Sequence, residues 1–152
     1  YPDTGALGEV GRGRGEGFNV NVPMPAGLGD GDYAAVFLEL LVPIADAWRP
    51  DLVLVSAGFD PHHDDPLGGM GVTPAGFAAL CSITRDIAIR HAGGRIVLVL
   101  EGGYDLPGLA SSVHACTRVL TGERPPPPPP PGPRGLEVLR EAAAFHRRWW
   151  PV

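Results

Sequence analysis

Two short, continuous apolar runs constrain the fold of this chain more than any other feature. Residues 52–56 (LVLVS) and 96–100 (IVLVL) have the length and composition of parallel strands that are covered on both faces. The segment between them has a helical pattern, with Thr73 as its N-cap, Pro74 at its first position and two glycines after its end. This order predicts a right-handed strand–helix–strand crossover, and therefore an α/β fold with a parallel sheet and flanking helices.

Three further patterns add elements to this unit. Residues 18–22 (FNVNV) alternate apolar and polar side chains, which predicts a third short strand. Residues 33–48 predict a helix that begins at an Asp32 N-cap and is kinked by Pro43. Another helix is predicted over 106–120. Because the edge of so small an apolar sheet is an aggregation hazard, we expect more strands upstream in a longer protein.

The chain divides into three segments. Residues 1–122 are predicted to form the α/β unit, 123–135 a proline-rich linker, and 136–152 a C-terminal helix. Seven consecutive prolines make the linker stiff and extended. Trp149 and Trp150 are predicted to pack on the main unit rather than to form an exposed interaction tail.

Composition narrows the classes of partner. A net charge of −5 argues against non-specific binding of nucleic acid and is compatible with a basic substrate. No apolar run approaches 18 residues and no signal peptide is recognisable, so we expect neither a membrane span nor secretion, and a cytoplasmic location. Cys81 and Cys116 lack metal-type spacing and are predicted to be buried free thiols. The glycine-rich start at Tyr1 is typical of the interior of a longer protein, and the oligomeric state stays open.

The first candidate site follows the strand at 52–56. Ligands of open parallel sheets bind beyond the carboxyl ends of the strands, and Asp60 lies there with a carboxylate that suits a cation. One carboxylate does not hold a catalytic zinc, which takes three protein ligands. His62 and His63 are interpreted as rim or solvated loop residues, since adjacent side chains rarely point to one centre. Asp65 is predicted to cap backbone amides of its own loop.

The second candidate site follows the strand at 96–100. Gly102 and Gly103 allow the backbone to approach a ligand, and the phenol of Tyr104 can donate a hydrogen bond to a developing oxyanion. In the alternative interpretation the tyrosine closes the start of the next helix and the glycines serve only the turn. The spacing alone leaves both interpretations open. Three further histidines lie on predicted helices and are interpreted as surface or interface residues: His91, His114 and His146.

Together the two strand ends resemble a known family. "LVLVSAGFDPHHDDPLGGMGVTPAGF", followed after one helix by "IVLVLEGGYDL", is similar to the zinc-dependent histone deacetylase family, which includes the acetylpolyamine amidohydrolases. The sequence "EGGY" rather than "GGGY" resembles the class II branch. The resemblance covers roughly residues 1–122 and implies the C-terminal portion of an arginase-like deacetylase fold built on a larger parallel sheet.

The resemblance also implies residue roles. Asp60 matches a zinc ligand and Tyr104 the catalytic tyrosine that polarises the amide carbonyl, while four residues match the substrate tunnel: Pro66, Leu67, Gly102 and Gly103. The implied reaction is zinc-dependent hydrolysis of the amide in an acetylated lysine peptide or an acetylated polyamine. The family's other zinc ligands, in an Asp-x-His motif, and its His-His general base are absent from this sequence.

Three hypotheses follow. In the first, the chain is a fragment of a functional deacetylase and is inactive alone. In the second, it is a non-catalytic half-domain that binds an acetylated ligand or a partner protein. The third is a different arginase-like hydrolase, which binds two metals through several Asp and His residues. Only Asp60 is suitably placed for such a role, and the Tyr104 motif is a further argument against this hypothesis.

Overall fold

The structure, a computed structural model, describes residues 4–152, so Tyr1 lies outside the described residues. Its elements run in this order: a 3-10 turn (Gly13–Gly15), α1 (Asp30–Val36), a π-helical segment (Phe37–Leu41), α2 (Val42–Trp48), β1 (Val53–Ala57), α3 (Pro74–His91), β2 (Ile96–Leu100), α4 (Leu106–Leu120) and α5 (Pro133–His146).

The strands β1 and β2 form the predicted parallel pair, with Val53 opposite Ile96 and Ala57 opposite Leu100. The helix α3 connects them, and α3 and α4 pack against each other. The main core lies between these helices and one face of the strands, and its buried members are Phe59, Val72, Phe77, Ala78, Cys81, Cys116 and Val119. The α/β class with flanking helices is therefore confirmed.

Local signals set the bounds of several elements correctly. The strand β2 and the helices α3 and α4 begin and end where the sequence predicts, and β1 is displaced by one residue. The side chain of Thr73 accepts a hydrogen bond from the Gly76 amide, as expected of an N-cap. Asp105 caps α4 in the same way.

The predicted strand at 18–22 is wrong for the described chain, where these residues have no ladder partner. A strand needs a neighbour for its backbone groups. Here Val20 and Val22 line a cavity against α1 and the π-helical segment, and no second strand lies there among residues 4–152. The Asn21 carbonyl instead lies 3.0 Å from Nε2 of His146.

The first helix begins earlier than predicted, and Asp32 is not its N-cap. Gly29 is the N-cap, and Asp32 lies one turn in, where its carboxylate accepts a hydrogen bond from the Gly29 amide at 2.9 Å. The other oxygen of Asp32 accepts from the Gly132 amide at 2.8 Å. Asp30 accepts from both the amide and the hydroxyl of Thr73, at 2.7 Å each. The start of α1 is therefore tied to the starts of α3 and α5.

The irregularity expected at Pro43 takes the form of a π-helical segment. Proline has no N–H to bond the carbonyl four residues earlier, and its ring crowds that carbonyl. The wider turn at Phe37–Leu41 lies directly before α2, whose second residue is Pro43. The helix continues through this point.

One face of the sheet is exposed, which contradicts the prediction of strands covered on both faces. We define the exposed sheet face as Leu54, Ser56, Val97 and Val99, whose side chains alternate with those that face the core. Leu54 is 69% exposed and Val99 is 52% exposed. No element among residues 4–152 covers this face.

The C-terminal segment packs on the rest of the chain. The helix α5 begins at Pro133, three residues before the predicted start, and contacts α1. The indole N–H of Trp150 donates to the Gly17 carbonyl at 2.7 Å, and the Phe18 ring meets Trp150 edge to face. The predicted packing of the tryptophans is confirmed. None of the described helices is long and apolar enough to cross a membrane.

Candidate active site

The loops that follow β1 and β2 lie side by side. The pairing of the strands continues beyond their ends, because the Glu101 amide donates to the Ala57 carbonyl at 3.0 Å and the Phe59 amide to the Gly102 carbonyl at 2.9 Å. Asp60 therefore lies beside Gly102. The two motifs that the sequence places at the carboxyl ends of neighbouring strands meet at one edge, as expected for a parallel sheet.

Glycines surround the Asp60 carboxylate closely. A Cβ on Gly102 would lie 2.5 Å from its Oδ2, and one on Gly58 would lie 3.0 Å from the same oxygen. A Cβ on Gly68 would lie 1.8 Å from the Asp60 carbonyl oxygen. The side chain of Asp60 is half-buried, and within residues 4–152 its carboxylate makes no hydrogen bond or ion pair. A partly desolvated carboxylate without a partner fits one ligand of a metal ion.

Tyr104 is held by its backbone, whereas its side chain faces solvent. Its amide donates to Asp65 at 2.7 Å, and the residue is 60% exposed. The phenol has no hydrogen-bond partner within the described part of the chain. Since Asp105 caps α4, the tyrosine is not needed to close the helix. The phenol is therefore accessible from solvent and is not occupied by another group of the described chain.

Gly103 has a structural requirement of its own. Its φ of +128° lies in the region that favours glycine, and a Cβ there would lie 2.9 Å from that of Phe59. The turn and its packing on Phe59 therefore require this glycine, and the approach of Gly103 to a ligand stays a prediction.

Asp65 joins the two loops. It is 8% exposed, and one oxygen accepts from the amides of Leu67 at 2.9 Å and Gly68 at 3.0 Å, while the other accepts from Tyr104. Burial raises the pKa of this carboxyl, but the amides of Tyr104, Leu67 and Gly68, with a smaller contribution from Asp105, outweigh it and hold the pKa below its ordinary value. The predicted capping of loop amides is confirmed. The bond to Tyr104 spans 39 residues, and no sequence pattern signals it.

Pro66 and Leu67 form the exposed tip of the same loop. Leu67 is 72% exposed, with its amide fixed by Asp65. An exposed leucine on a hydrogen-bonded turn is suited to line a ligand channel. Its contact with substrate, like that of Pro66, Gly102 and Gly103, stays a prediction.

The interpretation of His62 as a solvated rim residue is wrong, whereas His63 is exposed as expected. His62 is 3% exposed, and its ring is parallel to that of Phe77 with centroids 6.5 Å apart. Its Nδ1 accepts a hydrogen bond from the Asp64 amide at 3.2 Å. The tight approach of α4, where a Cβ on Gly108 would lie 2.5 Å from Nδ1, buries the ring.

The ligand atoms of His62, His63 and Asp64 lie within 4.8 Å of one another, contrary to the expectation that adjacent side chains diverge. This is the only group of three or more metal-binding side chains among residues 4–152, and it does not include Asp60. Among the described residues, Asp60 is therefore a single candidate ligand at the strand edge, whereas a catalytic zinc site takes three.

Comparison with known proteins identifies the class to which this edge belongs. The histone deacetylase domain family matches residues 1–120, and the chain belongs to that family. Histone deacetylase 15 of Arabidopsis thaliana is 41% identical over 156 residues, which cover 99% of this chain and 28% of that protein. The polyamine deacetylase HDAC10 of Homo sapiens is 46% identical over 124 residues, covering 80% of this chain and 18% of that protein.

Two solved structures share the fold. The HDA15 HD domain superposes with a TM-score of 0.88 at 41% identity, covering 99% of this chain and 40% of that one. The histone deacetylase Clr3 superposes with a TM-score of 0.90 at 33% identity, covering 99% of this chain and 26% of that one. The predicted family and fold are confirmed. The chain spans well under half the length of these relatives.

Proposed function

We propose that this chain forms one side of the active site of a zinc-dependent deacetylase. The observation that carries the proposal is the unpartnered, half-buried carboxylate of Asp60 beside the Gly102–Tyr104 turn, in a chain of the histone deacetylase domain family. Asp60 would contribute one zinc ligand. The other ligands and the general base would come from a part of the polypeptide outside this sequence, so we propose that residues 1–152 alone are inactive.

Different residues of this chain contact the carbonyl oxygen and the acyl group of the substrate. When bound, zinc supplies a Lewis acid and lowers the pKa of a water molecule toward neutrality. Tyr104 donates a hydrogen bond from its phenol to the carbonyl oxygen as that oxygen becomes negatively charged. Pro66 and Leu67 on one loop, and Gly102 and Gly103 on the other, flank the acyl group and exclude water. The amine leaves with a proton, and acetate is the second product.

The proposed substrate is an acetylated amine on a basic molecule. The net charge of −5 favours cationic substrates, and the relatives include a polyamine deacetylase as well as histone deacetylases. Both an acetylated lysine peptide and an acetylated polyamine fit this class. We also propose a cytoplasmic location, which fractionation of cells that express the tagged protein would test.

A second candidate function is a non-catalytic half-domain that binds an acetylated ligand or a partner protein. The exposed sheet face favours it, because apolar strands without a cover are suited to docking. Calorimetric titration of residues 1–152 with zinc and with an acetyl-lysine peptide tests the half-domain that binds an acetylated ligand. Micromolar binding of the peptide by a folded monomer favours that half-domain, and no binding favours the incomplete active site over it.

The role of Tyr104 is tested by Tyr104→Phe in the full-length, zinc-loaded enzyme that carries this chain. We expect kcat on an acetyl-lysine peptide to fall about 10²- to 10³-fold, as for loss of one oxyanion donor, with zinc content unchanged. Tyr33→Phe is the matched control, since it removes a phenol that packs against the core and whose pKa burial raises to about 12. Turnover within a few fold of the wild type in Tyr104→Phe would contradict the proposed function.

A further inference from the structure

Asp65 contacts both segments that carry the proposed substrate-facing residues. One carboxylate oxygen accepts hydrogen bonds from Leu67 and Gly68 in its own loop, at 2.9 and 3.0 Å. The other accepts from the Tyr104 amide at 2.7 Å, across to the turn after β2. The side chain is 8% exposed, so solvent does not compete freely for these bonds.

Asp65 holds the Tyr104 amide between the last hydrogen bond that pairs the strand ends and the start of α4. The last hydrogen bond that pairs the two strand ends is the one between the Phe59 amide and the Gly102 carbonyl. Gly103 follows with a φ of +128°, and the Tyr104 amide then bonds to Asp65. This bond is the only one that the Tyr104 backbone or side chain makes with another segment of residues 4–152. Helix α4 starts two residues later and fixes the chain on the other side.

We propose that Asp65 is a positioning residue, which sets the place of the Tyr104 phenol relative to the wall formed by Pro66 and Leu67. This inference rests on the proposed function, because it assigns Tyr104 and the wall to one substrate site. Asp65 does not touch the substrate; it acts through the backbone of Tyr104. A displacement of the Tyr104 phenol lowers the rate of the reaction, because a shift of about 1 Å in a hydrogen-bond donor can reduce the rate up to a hundredfold.

A carboxylate suits this place better than its amide analogue. An ionised aspartate offers acceptors on both oxygens, whereas asparagine offers one acceptor oxygen and an NH₂ that only donates. In Asp65→Asn the remaining oxygen can keep the two local bonds to Leu67 and Gly68, as asparagine does in similar turns. The NH₂ then faces the N–H of Tyr104, and two donors repel. The variant therefore keeps the wall and displaces the tyrosine.

The test is a double-mutant cycle in the full-length, zinc-loaded enzyme. We expect Asp65→Asn to lower kcat about 10- to 100-fold, with KM for an acetyl-lysine peptide within about twofold of the wild type. In the Tyr104→Phe background the same substitution should change kcat by less than about threefold, because the phenol it positions is gone. Full additivity, with both variants folded and zinc-loaded, would show that Asp65 acts independently of Tyr104 and would overturn the proposal.

The cycle separates this inference from the proposed function. If Tyr104→Phe alone leaves kcat unchanged, the proposed function fails; if it is severe and Asp65→Asn adds to it in full, the positioning role fails. Amide hydrogen exchange on the wild type gives a second measurement that needs no variant to fold. We expect the Tyr104 amide to be protected although the residue is 60% exposed. Exchange at the rate of an unbonded amide would also overturn the proposal.

Discussion

The carboxylate of Asp60 lies against backbone that carries no side chain, so the proposed metal site is sensitive to single methyl groups. Gly102 shows this most clearly, because a Cβ there would lie 2.5 and 2.7 Å from the two carboxylate oxygens. Real Cβ atoms do not approach oxygens so closely. Either the carboxylate rotates or the turn after β2 moves, and both changes misdirect a metal ligand.

We therefore predict that Gly102→Ala lowers the affinity of the full-length enzyme for zinc about 10- to 100-fold, the range found when the surroundings of a ligand are disturbed. Competition with a chelator measures this affinity. Gly8→Ala is the matched control, since a Cβ at Gly8 meets nothing within 4 Å and its φ is not positive. Equal zinc affinity in the two variants would contradict the assignment of Asp60 as a ligand.

At the scale of single residues, the sequence predicts which residues lie at the same edge of the sheet. It does not predict the contacts that fix each side chain. Asp60 and Tyr104 could be placed at one edge because parallel strands present their carboxyl ends together. The burial of His62 and the hydrogen bond from Tyr104 to Asp65 could not be predicted from the sequence. Both depend on how closely α4 and the loop after β2 approach the loop after β1. Such contacts between distant residues leave no periodic pattern in the sequence.

Among the elements, the contact between α3 and α4 shows how a local pattern becomes a packed pair. Cys81 on α3 and Cys116 on α4 are buried and free, as predicted. Each thiol donates to a carbonyl of the other helix: Cys81 to Cys116 at 3.7 Å, and Cys116 to Phe77 at 3.6 Å. The neighbouring side chain of Cys116, aided by Arg85, lowers the pKa of Cys81 in spite of burial. The same contact, together with burial, raises the pKa of Cys116.

The lowered pKa of Cys81 predicts the effect of removing its neighbour. In Cys116→Ala, Cys81 loses the side chain that lowers its pKa, so its thiolate should form at higher pH than the first thiolate of the wild type. The ultraviolet absorbance of the thiolate during a pH titration of the folded chain measures this pH. A first thiolate that forms at the same pH in Cys116→Ala and in the wild type would show that the two thiols do not interact.

The elements that the sequence predicts well are those with local signals. The helices α3 and α4 carry their caps within a few residues of their starts, at Thr73 and Asp105. The segment 18–22 has an equally clear alternating pattern, yet it is not a strand among the described residues. The difference is physical: a helix satisfies its own backbone, whereas a strand depends on a neighbour that the sequence of the strand does not contain.

For the molecule as a whole, the most unusual feature is the exposed sheet face, which no described element covers. Its apolar members would be covered on both sides in a typical parallel sheet. The chain covers 40% of the solved HDA15 HD domain and superposes on it with a TM-score of 0.88, so most of that domain lies outside the matched region. We expect the corresponding part of a longer polypeptide to cover this face and to bring the remaining zinc ligands to Asp60.

This expectation predicts that one substitution has opposite effects in two settings. In residues 1–152 alone, Val99→Lys should reduce self-association, because it places a charge on the exposed sheet face; size-exclusion chromatography over a range of concentrations measures it. In the full-length enzyme the same lysine would be buried and should lower the free energy of unfolding by about 2–4 kcal/mol, measured by urea denaturation. Ile89→Lys on α3 is the matched control, since Ile89 and Val99 are both β-branched and both 52% exposed. If Val99→Lys is as harmless as the control in the full-length enzyme, no part of that polypeptide covers the face, and the half-domain that docks a separate partner becomes the better account of this chain.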